Sequence, residues 1–148
     1  MINTEEINKP IITEIPYTGY SLELFLGDFN GDGRDEIMVR GEYGGLGSYA
    51  IAAIYKYKDG YLEEIFNPDM FSEKYKFIGT QQPIISAING AYPIKSVFQK
   101  NYFLFIRQRV IGVSNADKIG YIESFIDLLN NDIKVIEMGS YHFVEKES

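Results

Sequence analysis

One segment near the start of the chain combines oxygen-bearing side chains with glycines. Gly31 and Gly33 lie inside it, and glycine adopts positive φ without steric cost, so the backbone can turn tightly there. Hard divalent cations are bound by the oxygens of carboxylates, amides and backbone carbonyls. The segment therefore has the composition of a cation-binding loop. Its oxygen-bearing residues are Asp28, Asn30, Asp32 and Glu36.

The alternate spacing of these residues predicts a calcium site. Asp28, Asn30 and Asp32 would donate side-chain oxygens towards a common centre, Arg34 would donate its backbone carbonyl, and Glu36 would close the site. Without the ion the carboxylates repel one another, and the turn should loosen. The alternative is a solvated Asp/Asn/Gly turn that holds no metal.

The loop is not an EF-hand, because the twelfth position of that loop is a bidentate Glu and here it is Val39. The run from Asp28 to Ile37 instead resembles the calcium loop of FG-GAP/VCBS repeats, the blades of integrin-type propellers, whose pattern is Asp-x-Asp/Asn-x-Asp-Gly-x-x-acidic-apolar. The resemblance covers about residues 20–66. It implies a structural Ca²⁺, a role in binding or adhesion with a protein or glycan partner, and an extracytoplasmic location in a bacterium.

Four strands are predicted around this loop. Alternating apolar residues favour a strand at Ser21–Leu26, and apolar runs favour further strands at Ile37–Arg40 and Tyr49–Tyr57. Asp59-Gly60 is a strong hairpin signal, and a fourth strand follows at Tyr61–Phe66. Together these segments predict an antiparallel meander of the size of a propeller blade.

The second half predicts a further meander. Candidate strands are 75–78, 84–88, 97–98, 102–110 and 133–144, with Asn89-Gly90 as a turn. Residues 118–129 fit a strand, and the alternative is a helix at 116–129 that Ser114 or Asn115 would cap. A weak repeat between residues 54–65 and 126–136 favours the strand.

The predicted fold class is all-β and mostly antiparallel, with two blade-like four-stranded meanders packed together. Two blades cannot close a propeller, which needs at least four. The predicted divisions are an N-terminal segment at 1–16, the calcium-loop meander at 17–67 and the second meander at 74–146. Unpaired sheet edges also allow a homo-oligomer.

Composition narrows the class of protein. Hydrophobic residues are 45% and charged residues 24%, which is typical of a globular domain. The net charge of −7 argues against nucleic acid and anionic membranes as partners. The longest uncharged stretch, residues 77–94, contains prolines and amides and predicts no membrane span. The start of the chain has no signal-peptide pattern, which leaves a cytoplasmic location open.

Two further function classes compete with a calcium-binding module. The acidic composition also suits a cytoplasmic interaction protein of the immunity or inhibitor type. A hydrolase would depend on Glu63, Glu64 and His142, the single histidine. The chain has no Gly-x-Ser-x-Gly nucleophile motif, and adjacent strand residues point to opposite faces, so no enzyme is expected.

Overall fold

The computed structural model describes residues 10, 12, 14–16, 18–42, 49–75, 84–112 and 118–142, with the side chains of 84–87 and 118 excepted. Eight strands and one short α-helix form the described fold. The strands are β1 (Tyr20–Gly27), β2 (Glu36–Glu42), β3 (Ala50–Lys58), β4 (Tyr61–Phe66), β5 (Ile84–Lys95), β6 (Tyr102–Ile111), β7 (Lys118–Asp127) and β8 (Lys134–His142). The helix is α1 (Pro68–Lys74), and a 3₁₀ turn covers Leu129–Asn131.

The strands form two antiparallel four-stranded sheets, each in sequential order. The first sheet runs β1-β2-β3-β4 and the second runs β5-β6-β7-β8. Neither sheet closes into a barrel or propeller in the described part of the chain, so the predicted all-β fold class is confirmed. No helix in these residues is long and apolar enough to cross a membrane.

Both sheets contribute to one hydrophobic core. Side chains alternate along a strand, so residues paired across neighbouring strands share a face. Met38 pairs with Ile54 in the first sheet, and Leu104 pairs with Ile126 in the second. All four side chains are fully buried in the same cluster. The two sheets are thus held face to face by apolar packing.

The leucine face of β1 is exposed to solvent. The alternation of leucines in this strand is the pattern that predicted it, but Leu22, Leu24 and Leu26 are 53%, 71% and 61% exposed. Phe25 points to the opposite side and packs edge-on against Tyr102 of the second sheet, with ring centroids 5.1 Å apart. Phe25, and not the leucine stripe, therefore lies on the face of β1 that meets the core.

The helix α1 was not predicted, although its start carries a recognisable signal. Asn67 caps it, because its Oδ1 accepts from Met70 N at 2.7 Å, and Pro68 occupies the first turn. Phe71 is fully buried and Met70 packs against the same cluster, so two apolar residues anchor the helix to the core. The candidate strand at 75–78 does not begin at Tyr75. Tyr75 is instead the residue that ends the helix, and residues 76–78 lie outside the described residues.

The predicted turn at Asn89-Gly90 is wrong. Both residues lie within the twelve-residue strand β5, where the pairing with β6 shifts register around Ile88. The side chain of Asn89 replaces a lost ladder bond by accepting from Arg109 N at 2.7 Å. The predicted strand at Val97-Phe98 is also wrong. These residues lie in the turn between β5 and β6 and are 88% and 94% exposed.

The ambiguous segment is a strand. Residues 118–127 form β7, which pairs with β6 on one side and β8 on the other, so the strand interpretation is confirmed. The alternative helix at 116–129 is wrong for the described residues of that range. Its proposed caps, Ser114 and Asn115, lie outside the described residues. Ile122 and Ile126 lie on one face of β7, and Ile119 and Phe125 lie on the other, so its apolar residues also matched a helical pattern.

The loop between β1 and β2 lies against the second sheet. Tyr102 N donates to the carbonyl of Asp28 at 2.7 Å, and Asn130 N donates to the carbonyl of Asn30 at 3.1 Å. Between them, Asn101 Nδ2 donates to the carbonyl of Phe29 at 3.2 Å and to Asp127 Oδ1 at 2.9 Å. Three consecutive loop carbonyls therefore accept from Tyr102 of β6, from Asn101 just before it and from Asn130 of the 3₁₀ turn.

Replacing Asn101 tests this junction. Its side chain is buried, with 3% of the residue exposed. Asn101→Ala leaves the buried carbonyl of Phe29 without its side-chain donor, and such a loss costs about 1–3 kcal/mol. We expect urea unfolding to show a decrease of about 2 kcal/mol in the free energy of unfolding. The exposed neighbour variant Lys100→Ala should stay within about 0.5 kcal/mol of the parent protein. Equal values for the two variants would contradict the assigned role of Asn101.

Candidate functional site: a carboxylate cluster in the β1–β2 loop

The predicted loop folds into a compact cluster of carboxylates. One oxygen from each of Asp28, Asp32 and Glu36 lies within 4.8 Å of the other two. Gly31 and Gly33 have φ of 80° and 83°, a region that side chains disfavour, so the two glycines make the turn possible. The sequence spacing thus brings together three of the five predicted ligands.

Backbone N–H groups within the loop hold two of the carboxylates in place. Asp28 accepts from Gly31 N at 2.8 Å and from Gly33 N at 2.9 Å, through different oxygens. Asp32 Oδ1 accepts from Arg34 N at 2.8 Å. Such bonds fix the carboxylate orientation before any ligand binds, which lowers the ordering cost of binding.

Asn30, the fourth predicted ligand, joins the loop to the 3₁₀ turn. Its Oδ1 accepts from Asp32 N at 3.1 Å, and its Nδ2 donates to Asn131 Oδ1 at 2.9 Å and to Asp32 Oδ2 at 3.3 Å. The residue is only 3% exposed. Asn30 therefore orders the loop and also connects it to residues a hundred positions away.

Glu36 is the most constrained member of the cluster. It is 1% exposed, and its Oε2 accepts from Phe29 N at 2.9 Å. Its Oε1 is buried and has no hydrogen-bond partner among the described residues. Burial raises the pKa of Glu36 from 4.5 to about 7, the charges of Asp32 and Asp28 add to that increase, and the bond from Phe29 opposes it. A buried carboxylate oxygen without a donor is costly unless a cation meets it.

A lysine that the sequence did not single out lies beside the cluster. Lys56 Nζ, on β3, is 3.8 Å from Asp32 Oδ2. Arg34, the fifth predicted ligand, is exposed in the loop, and its side chain lines a cleft together with Lys56. Only strand pairing brings Lys56 to the loop, so the sequence carried no local signal for it.

The residues considered for hydrolysis are not assembled into one site. Glu63 forms an ion pair with Lys58 at 3.9 Å, and Glu64 accepts from the Asn67 side chain. Both lie on β4 of the first sheet, whereas His142 ends the edge strand β8 of the second.

The part of the chain that contains this loop matches a known protein family. The model of the YybI C-terminal domain matches residues 28–141, which includes the whole carboxylate loop and more than three quarters of the chain. The chain belongs to this family. A relative in Bacillus subtilis (strain 168), the "Uncharacterized protein YybI", is 25% identical over 151 aligned residues. The match covers 73% of this chain and only 58% of that relative. No solved structure matches.

The resemblance to FG-GAP/VCBS repeats is wrong as a family assignment. The family that matches is the YybI C-terminal domain, and no FG-GAP/VCBS family matches. The shared feature is the alternate spacing of Asp28, Asn30 and Asp32, which is short enough to occur in loops of unrelated families. The extracytoplasmic location and the adhesion role were implied by that resemblance alone, and they remain untested predictions without its support.

The raised pKa of Glu36 makes the stability of the metal-free protein depend on pH. The folded state binds a proton on Glu36 more tightly than the unfolded chain does. The stabilisation that this proton provides is complete below pH 4.5 and is lost as the pH rises through about 7. Each pKa unit is worth about 1.4 kcal/mol. In chelator, we expect the free energy of unfolding, relative to Glu36→Gln, to fall by about 2–3 kcal/mol between about pH 5 and about pH 8.

Urea unfolding of both proteins at the two pH values measures this difference. Glu36→Gln keeps the size of the side chain and removes the titration, so contributions from all other groups cancel. If the free energies of unfolding of the two proteins differ by the same amount at both pH values, Glu36 does not carry the predicted proton.

Proposed function

We propose that this domain binds one calcium ion in the β1–β2 loop and that the ion stabilises the junction of the two sheets. The observation that carries the proposal is Glu36 Oε1, a buried carboxylate oxygen without a hydrogen-bond donor. It belongs to the cluster that also contains carboxylate oxygens of Asp28 and Asp32. A cation at this position would satisfy Glu36 Oε1 and offset the repulsion among the three acids.

The donor set favours calcium over other divalent ions. Every proposed ligand is an oxygen, and the chain has no cysteine for a thiolate site. Calcium accepts six to eight oxygens in flexible geometry, whereas magnesium requires a smaller and nearly octahedral shell. The proposed ligands are the side chains of Asp28, Asn30, Asp32 and Glu36 with the carbonyl of Arg34, and water would complete the shell.

The position of the loop supports a structural role for the ion. The carbonyls of Asp28 and Asn30 accept from backbone N–H groups of the second sheet and its 3₁₀ turn. An ion that orders the loop therefore also orders these bonds between the two sheets. We infer that calcium strengthens the contact between the sheets and takes no part in a reaction.

Calorimetric titration of chelator-treated protein with CaCl₂ tests the site. We expect one ion per chain, a higher Tm with calcium, and about 2.7 kcal/mol of added stability when free calcium is 100 times Kd. Asp28→Asn and Glu36→Gln should each weaken binding at least about tenfold, because each removes one of the charges facing the ion.

Asp35→Asn is the matched control. Asp35 lies in the same loop, is exposed, and is outside the three-carboxylate cluster. Its replacement removes the same charge and should leave the calcium affinity within about threefold of the parent value. The proposal is overturned if titration with CaCl₂ produces no heat of binding and EDTA leaves the unfolding transition unchanged.

Hydrogen exchange tests the effect on the second sheet. Calcium should slow exchange at the amides of Tyr102 and Asn130, because these donate to loop carbonyls. The amide of Ser140, on the edge strand β8, should be unaffected and serves as the internal control. Protection confined to residues 28–36 would show that the ion orders the loop alone.

A further inference from the structure

A cleft of about 300 Å³ opens beside the carboxylate cluster. Its lining combines three cationic residues, two acids and one aromatic ring. Asp32 belongs both to this lining and to the carboxylate cluster. The cleft residues are Asp32, Arg34, Lys56, Tyr57, Lys58 and Asp59.

The charge of this cleft differs from that of the protein as a whole. The chain has 21 acidic and 14 basic residues, yet cations outnumber acids in the cleft. Lys56 Nζ is 3.8 Å from Asp32 Oδ2, and the residue that follows Lys56 on β3 is Tyr57. A bound calcium ion would offset the charge of Asp32, and the cleft would then be positive. Such a surface attracts an anion.

The proposed calcium shell leaves room for an external oxygen. The loop supplies five residues as ligands, whereas calcium accepts six to eight oxygens. Glu36 is the buried member of the cluster and Asp32 is the exposed one, and Asp32 also lines the cleft. A coordination position beside Asp32 would be reached from the cleft, and either water or a ligand oxygen could fill it.

We propose that the cleft binds a small carboxylate-bearing molecule of about one sugar ring in size, with calcium as part of the binding site. One carboxylate oxygen takes a calcium position, and the other meets Lys56 and Arg34. The volume is at the lower end for small-molecule pockets, which fits a single ring. This inference rests on the proposed calcium site.

Binding of this ligand depends on calcium for an electrostatic reason. Without the ion, Asp28, Asp32 and Glu36 repel a carboxylate, and Lys56 lies beside Asp32. With the ion bound, the repulsion is offset and Lys56 becomes available to the ligand. Because coupling between two ligands is reciprocal, the anion also raises the affinity for calcium by the same factor.

Terbium luminescence tests the proposal directly. Tb³⁺ replaces calcium in oxygen sites, and its lifetimes in H₂O and D₂O count the water molecules on the ion. Galacturonate is the probe, and galactose, which has the same ring without the carboxylate, is the control. We expect galacturonate to remove about one or two waters from the bound ion and galactose to remove none.

Calorimetry with calcium and the same sugars gives the affinities. We expect galacturonate binding to weaken at least about tenfold in chelator and at least about tenfold in Lys56→Met with calcium. Lys134→Met removes the same charge from β8, outside the cleft, and should bind galacturonate like the parent protein. Lys56→Gln serves in place of Lys56→Met if the latter does not fold.

The outcomes separate this inference from the calcium proposal. Calcium binding without any displacement of water by galacturonate overturns the carboxylate site and leaves the calcium site standing. Galacturonate binding that is equal in Lys56→Met, or equal in chelator, also overturns it. Absence of calcium and terbium binding overturns both proposals together.

Discussion

The burial of one carboxylate, Glu36, is the constraint on which the junction of the two sheets depends. Its Oε2 is bound by the N–H of Phe29, and Phe29 itself is fully buried in the common core. A carboxylate in that position disfavours its charged form, which is why its pKa rises to about 7. Such a position is stable when a proton or a cation compensates the charge, and the charges of Asp28 and Asp32 strengthen the need for that compensation.

The loop that carries Glu36 also determines how the sheets meet. Apolar packing brings the faces together, but packing is not directional. Hydrogen bonds from Tyr102, Asn101 and Asn130 to consecutive loop carbonyls supply a direction and a register. The same segment is therefore both the candidate cation site and the structural joint, so a ligand that bound there would also change the stability of the fold.

The correction of the family assignment has a physical basis. An alternating Asp/Asn pattern with glycines is what any short loop needs to direct oxygens at one ion, so it indicates chemistry more reliably than common descent. The matched family extends from Asp28 to residue 141 and includes the second sheet, which the loop pattern does not describe. The calcium proposal therefore depends on the geometry around Glu36 and draws nothing from the rejected resemblance.

The sequence by itself determined the local features of this protein. Period-two alternation predicted β1, and the candidate strands at 37–40 and 102–110 lie within β2 and β6. The Asp59-Gly60 turn predicted the β3–β4 hairpin, and the loop spacing predicted that Asp28, Asp32 and Glu36 meet. Tertiary structure decided the rest. Pairing with β6 keeps Asn89-Gly90 inside β5, and the contact of Phe25 with Tyr102 turns the leucine face of β1 outward. The roles of Asn101 and Lys56 and the burial of Glu36 arise from contacts with distant parts of the chain, which no local pattern of residues encodes.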